Sequence, residues 1–173
     1  TTGGVVSGPN SYSSEDSLAE PNLLFEQIEN GRFVSVTPQG GTIDLLIGSS
    51  HGVAEGDIDG DGGGDLVVVN SNTLVTILRN VVPNRGNWIA FRVLDKNGTD
   101  AVGAQVELVL DDGSSFHSQV QTAHGYASAH DPRVHFGLAN RVPKKVRIAW
   151  PDGRKTAIES PQIGTVHTVR YAE

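Results

Sequence analysis

The chain has 173 residues, enough for one ordinary domain or two small ones, and it is acidic, with formal net charge -7 and sequence pI ≈ 5.3. That balance argues against nucleic acid as a partner, and no apolar run approaches the roughly 18–20 residues of a membrane span. Cysteine is absent, which excludes disulfides. Methionine is absent too and the sequence starts at Thr1, so a trimmed chain exported from the cell is the expectation.

Residues 1–20 are rich in Gly, Ser and Thr and read as an extended N-terminal arm. Val5 and Val6 are the arm's apolar pair, and they would let it add a strand to an exposed sheet edge, on its own domain or on a second copy of the chain. A first folded part is expected over residues 21–82. Asn30-Gly31 is a tight-turn dipeptide before Arg32-Phe33-Val34, which predicts a hairpin. Gln39-Gly40-Gly41 predicts another turn, with a strand after it over Thr42–Ile47, and Leu66–Val69 and Leu74–Leu78 read as further strands.

Between them lies Asp57-Ile58-Asp59-Gly60-Asp61-Gly62-Gly63-Gly64-Asp65. Four carboxylates in one tight turn repel unless something positive balances them, and calcium takes about 6–8 oxygens from carboxylates, carbonyls and water. Asp57, Asp59 and Asp61 would offer side-chain oxygens, Gly63 its carbonyl, and Asp65 would close the ring. Glycine permits the positive φ that such a curl needs. The loop is no EF-hand, because Val68 stands where the bidentate Glu belongs and a strand follows in place of a helix. It is no calcium-binding β-helix either, since the nonapeptide occurs once.

Pro83-Asn84-Arg85-Gly86-Asn87 predicts a boundary, with a second domain over residues 83–173. Strands are expected at Trp88–Leu94, Ala104–Leu110, Ser115–Gln121, Lys145–Trp150, Lys155–Ile158 and Thr165–Tyr171. They are separated by turns at Lys96-Asn97-Gly98, Asp111-Asp112-Gly113 and Pro151-Asp152-Gly153. No stretch of 11 or more residues shows a helical period. The pattern is that of an all-β protein, a sandwich or barrel-like domain packed with a single β-blade. Charge is divided unevenly: residues 1–82 hold 2 Lys/Arg against 11 Asp/Glu, and residues 83–173 hold 11 against 9. Such asymmetry favours attraction between the front of one copy and the back of another.

The order of motifs resembles proteins with FG-GAP (VCBS-type) repeats followed by an ASPIC/UnbV domain. The first part matches through Pro21-Asn22-Leu23-Leu24-Phe25, Gly31-Arg32-Phe33, Gly52-Val53-Ala54-Glu55-Gly56-Asp57 and the acidic loop. The second matches through Trp88, Val102-Gly103-Ala104-Gln105-Val106, Gly125-Tyr126, Asp131-Pro132-Arg133-Val134-His135-Phe136-Gly137-Leu138 and Trp150-Pro151-Asp152-Gly153-Arg154. The resemblance implies an extracellular or surface calcium-binding β protein without established catalysis. FG-GAP repeats usually come in series and close a propeller of 4–8 blades. A lone blade must bury its apolar face elsewhere. Gly63-Gly64 also predicts a looser loop than usual.

Other patterns point less far. Gly48-Ser49-Ser50-His51-Gly52 fits a serine-nucleophile elbow, but that elbow needs a helix after it and the acidic loop follows instead. His117, His124, His130 and His135 lack the spacing of a zinc site. Asn97-Gly98-Thr99 is an N-glycosylation acceptor pattern, and Asn-Gly is equally the favoured type I′ hairpin pair. Lys144, Lys145, Arg147, Arg154 and Lys155 form a basic group, either a solvated strand face or a receptor for an acidic partner. The expectation is therefore a non-enzymatic, calcium-stabilised extracellular or cell-surface protein, a self-assembling fibre or matrix subunit. The alternative is an adhesion module that binds glycan or a surface protein.

Overall fold

A computed structural model of the chain describes residues 18–36, 41–42, 44–71 and 73–172. The arm's Val5 and Val6, and Gln39-Gly40 of the expected turn, lie outside the described residues. The described chain is all-β: fourteen strands and one 3-10 turn at Glu29–Gly31. It divides into two compact units. One holds the described residues up to Glu55 together with the described residues of Leu66–Arg79 and Gly125–Ala129; the other holds Gly56–Asp65, Asn80–His124 and the described residues from His130 on. One division falls after Arg79. The acidic loop, however, groups with the second unit, and Gly125–Ala129 groups with the first.

The second unit is a sandwich. One sheet has the order β10 (Ser115–Gln119), β9 (Gln105–Leu110), β12 (Pro143–Ala149), β13 (Lys155–Glu159). The other has the order β11 (Val134–Ala139), β8 (Asn87–Leu94), β14 (Val166–Arg170). Side chains alternate in and out along β9, β11 and β12, as strands with one buried face require. The inward residues Ile89, Phe91, Val93, Val106, Leu108, Leu110, Phe136, Leu138, Val146 and Ile148 form one core drawn from both sheets. All pairings are antiparallel except β14 with β8, which runs parallel in the register Val166↔Ala90 to Arg170↔Leu94.

The turns form as the sequence predicts. The Asp95 carboxylate accepts the N–H groups of Asn97 (2.9 Å) and Thr99 (3.0 Å), and Gly98 takes φ +79°. Trp150 N–H donates to Arg154 O (2.9 Å) across Pro151-Asp152-Gly153. Strand β11 is an addition to the expected set. β8 also fits close to its neighbour: a Cβ on Gly86, just before it, would lie 2.6 Å from Ala139 Cα.

Among the described residues the first unit contains small sheets: β1 (Glu20–Pro21) with β4 (Ile47–Gly48), β2 (Phe25–Gln27) with β3 (Phe33–Ser35), and β5 (Ser50–Gly56), β6 (Asp65–Asn70), β7 (Thr76–Leu78) in that order. The hairpin at Asn30-Gly31 is present, with both residues at positive φ and Ile28 N–H donating to Arg32 O (2.8 Å). Of the strand expected over Thr42–Ile47, Ile43 lies outside the described residues, and among the others only Ile47 joins a strand, β4. Thr42 Oγ1 donates to Asp44 O (2.7 Å), a local turn that competes with a ladder. No helix among the described residues is long and apolar enough to cross a membrane.

Candidate metal centre

The acidic loop connects β5 to β6. Its backbone folds around its own first carboxylate. Asp57 Oδ1 accepts the N–H groups of Gly60 (2.8 Å) and Asp61 (3.1 Å), and Oδ2 accepts that of Gly62 (3.0 Å). Asp59 Oδ1 accepts from Asp61 N–H (3.2 Å), and Asp61 Oδ1 from Gly63 N–H (2.8 Å). Gly60 and Gly62 take φ +76° and +84°, the curl that an L side chain resists. The result brings one oxygen each of Asp57, Asp59 and Asp61 within 4.8 Å of one another, with Asp59 and Asp61 exposed. Among the described residues no other group of three or more His, Cys, Asp or Glu side chains converges in this way.

The other two expected ligands sit differently. Asp65 is outside that group and 2% exposed. Its Oδ2 accepts Ile58 N–H (2.9 Å) and its Oδ1 accepts Asn80 N–H (2.8 Å), so it ties the beginning of the loop and the segment after β7 to the start of β6. Gly63 contributes its N–H to Asp61 and lies under Arg85: a Cβ there would meet Arg85 Nη1 at 2.1 Å. A Cβ on Gly62 would meet the Trp88 indole at 2.0 Å. The glycine run is therefore tightly seated, contrary to the expectation of looseness. Only glycine leaves room for the two side chains that pack on it.

Three groups that composition alone does not single out complete the centre. Arg85 Nη2 lies 2.8 Å from Asp61 Oδ2, and its Nη1 donates to Asn80 O (2.6 Å). Hydrogen bonding to Asp61, with the charges of Asp59 and Asp57 behind it, holds the Arg85 guanidinium above its ordinary pKa. Arg133 Nη2 donates to Asp57 O (3.1 Å) while its Nε donates to Asp131 Oδ2 (2.6 Å). Trp88 stacks on His135, with ring centroids 5.7 Å apart. Asp57 and Arg133 are 76 residues apart. The signal for Arg133 and Trp88 was their place in the resembling motifs, and for Arg85 its place in the Asn84-Arg85-Gly86 turn.

The donor set fits a hard cation. It is all oxygen, it carries excess negative charge, and a carboxylate oxygen that accepts one N–H keeps a lone pair for a metal. Asp57, Asp59 and Asp61 are the residues that would hold it, and the ion would supply the charge balance that Arg85 alone does not.

The remaining candidates do not assemble a site. Ser50 is 1% exposed within β5 and donates to Asn70 Oδ1 (2.7 Å). A strand continues where an elbow needs a helix. His124 packs against His130, His135 stacks on Trp88, and His117 lies exposed on β10, so the four do not converge. Asn97 is exposed at its turn, open to modification. The basic group is largely balanced within its own sheet: Lys145 with Glu159 (2.5 Å), Arg147 with Glu107 (3.1 Å), and Arg154 with Asp152 (3.6 Å).

Cartilage acidic protein 1 is similar to this chain in three vertebrates. The mouse protein is 27% identical over 122 residues, 68% of this chain and 19% of its own length; the Xenopus tropicalis protein is 26% identical over 129 residues, 72% and 20%; the human protein is 28% identical over 120 residues, 66% and 18%. The chain thus spans about a fifth of the length of these curated relatives. A stretch covering 72% of this chain necessarily includes residues 57–65, so the Xenopus similarity runs through the acidic loop. Residues 94–173, from the end of β8 onward, match the ASPIC and UnbV family model.

Proposed function

We propose that this chain is a non-enzymatic, calcium-stabilised structural module of the extracellular space or cell surface, an FG-GAP-like calcium loop and sheet joined to an ASPIC/UnbV sandwich, that assembles with further copies of itself into a fibre or matrix. The observation that carries the calcium reading is the convergence of Asp57, Asp59 and Asp61 in a loop whose backbone is wound to hold them together. Millimolar extracellular calcium suits a loop with this few carboxylates. The name of the matched relatives refers to cartilage, in keeping with an extracellular place.

Assembly is supported by apolar side chains that this chain leaves uncovered. Val67 and Ile77 are paired across β6 and β7 and point to one face with Val69. Ile77 is 65% and Val69 48% exposed. On the β2–β3 hairpin, Phe25 and Phe33 are 54% and 65% exposed. Large contiguous apolar exposure marks interaction surfaces.

Calcium is tested by melting. A ligand bound only by the folded state stabilises by RT ln(1 + [L]/Kd), about 1–3 kcal/mol when calcium stands ten- to a hundredfold above Kd. Chelation lowers Tm in the natural protein, and Asp59→Ala abolishes that sensitivity. A melting curve indifferent to chelator in the natural protein contradicts the reading.

A further inference from the structure

We propose that Arg85 is a built-in counter-cation of the acidic loop, which steadies Asp61 when calcium is absent and sets the calcium affinity by competing with the ion for the same negative charge. The inference rests on the calcium reading of the loop and concerns how that site is tuned.

The placement of the guanidinium carries the argument. It is held at both ends, by Asp61 Oδ2 at 2.8 Å and by Asn80 O at 2.6 Å. It lies flat on Gly63, where a Cβ would come within 2.1 Å of Nη1 and 2.8 Å of Cζ, so the loop leaves this position free of side chain. Asn80 in turn donates its N–H to Asp65 Oδ1 (2.8 Å). Asp61, Arg85, Asn80 and Asp65 thus form a closed strap over the loop, made of a fork-shaped cation where a spherical one is also expected. Arginine suits this role because it stays charged and its planar donors reach two acceptors at once.

A counter-cation and a plain scaffold residue behave differently on removal. If Arg85 only shaped the loop, losing it would weaken the calcium-free fold and calcium binding alike. As a counter-cation, its loss weakens the calcium-free fold and strengthens binding, because the incoming ion no longer meets a positive neighbour. Removing one like charge at this range tightens calcium by about three- to tenfold.

The test is calcium titration by calorimetry on the full chain and on Arg85→Gln, with melting curves in chelator and in calcium. The expected result is a lower Tm than the natural protein in chelator, a tighter Kd, and a larger rise in Tm on adding calcium. A variant that folds only with calcium present supports the proposal in the same way, since the ion then replaces the guanidinium. Unchanged or weaker binding in Arg85→Gln, beside measurable binding in the natural protein, overturns the counter-cation while leaving the calcium site standing. So does a variant that folds in neither condition, since an arginine whose loss calcium cannot offset is a scaffold residue. Absence of binding in the natural protein removes the calcium reading itself, and the proposal with it.

Discussion

Gly60 and Gly62 both take left-handed backbone angles, yet only Gly62 has a close neighbour, the Trp88 indole at 2.0 Å from a built Cβ; Gly60 meets nothing within 4 Å. The pair separates backbone strain from packing. Gly60→Ala should cost about 1–2 kcal/mol for the left-handed conformation alone. Gly62→Ala should cost a further 1–3 kcal/mol or so for overpacking against Trp88. Urea denaturation of the two variants measures the difference, and equal losses would show that Trp88 does not seat the loop. At this scale the sequence was half legible. The spacing of Asp57, Asp59 and Asp61 foretells by itself that their carboxylates converge, because positions in a tight turn are local. Asp65, by the same spacing a ligand, proves to be buried and engaged with Ile58 and Asn80. Nothing in a linear pattern distinguishes an acid that faces the turn from one that faces inward to pin it.

Strand by strand, the elements with strict alternation were the readable ones. β9 and β12 lie close to where the periodicity places them, since one buried face forces apolar residues to every second position. β11 alternates just as strictly through Val134, Phe136 and Leu138, but Asp131-Pro132 before it and Gly137 within it carry the punctuation of a turn. The stretch 42–47 departs in the other direction: among its described residues only Ile47 lies in a strand, and Thr42 bonds locally to Asp44. Two predictions belong here. Asp65→Ala leaves the part-buried N–H groups of Ile58 and Asn80 without their acceptor and should cost about 1–3 kcal/mol by urea denaturation, the range for leaving a donor unpaired; a loss within error of zero would mean water replaces the carboxylate. Cross-strand acids give the second. The hydrogen bond from Arg147 on β12 holds Glu107 on β9 below the ordinary carboxylate range, and the bond from the Tyr171 hydroxyl does the same for Asp152. A carboxylate depressed in the folded state contributes stability that is present above the unfolded value of about 4 and is lost as pH falls through the folded one. Stability should therefore decline below about pH 4, and Glu107→Gln should flatten that decline in acid-unfolding curves. An identical acid profile in the variant would contradict the assignment.

For the molecule as a whole, the all-β class followed from turn signals at short intervals and the absence of a helical period. The parallel placement of β14 beside β8 did not, because no hairpin or local turn joins strands so far apart in sequence. The expected receptor for an acidic partner is also altered: Lys145 and Arg147 are paired with Glu159 and Glu107, so the proposed assembly rests on apolar contact. Ile77→Ser and Phe33→Ser remove exposed side chains and should leave Tm nearly unchanged while reducing concentration-dependent self-association in sedimentation velocity. Association that survives both substitutions would place the contact elsewhere. The central claim, that Asp57, Asp59 and Asp61 hold a structural calcium ion, is tested most directly by equilibrium dialysis of the full chain at about 1 mM calcium, the affinity range of extracellular modules. The account predicts one calcium per chain for the natural protein and none for Asp59→Ala. No bound calcium in the natural protein, or equal binding in the variant, would contradict it.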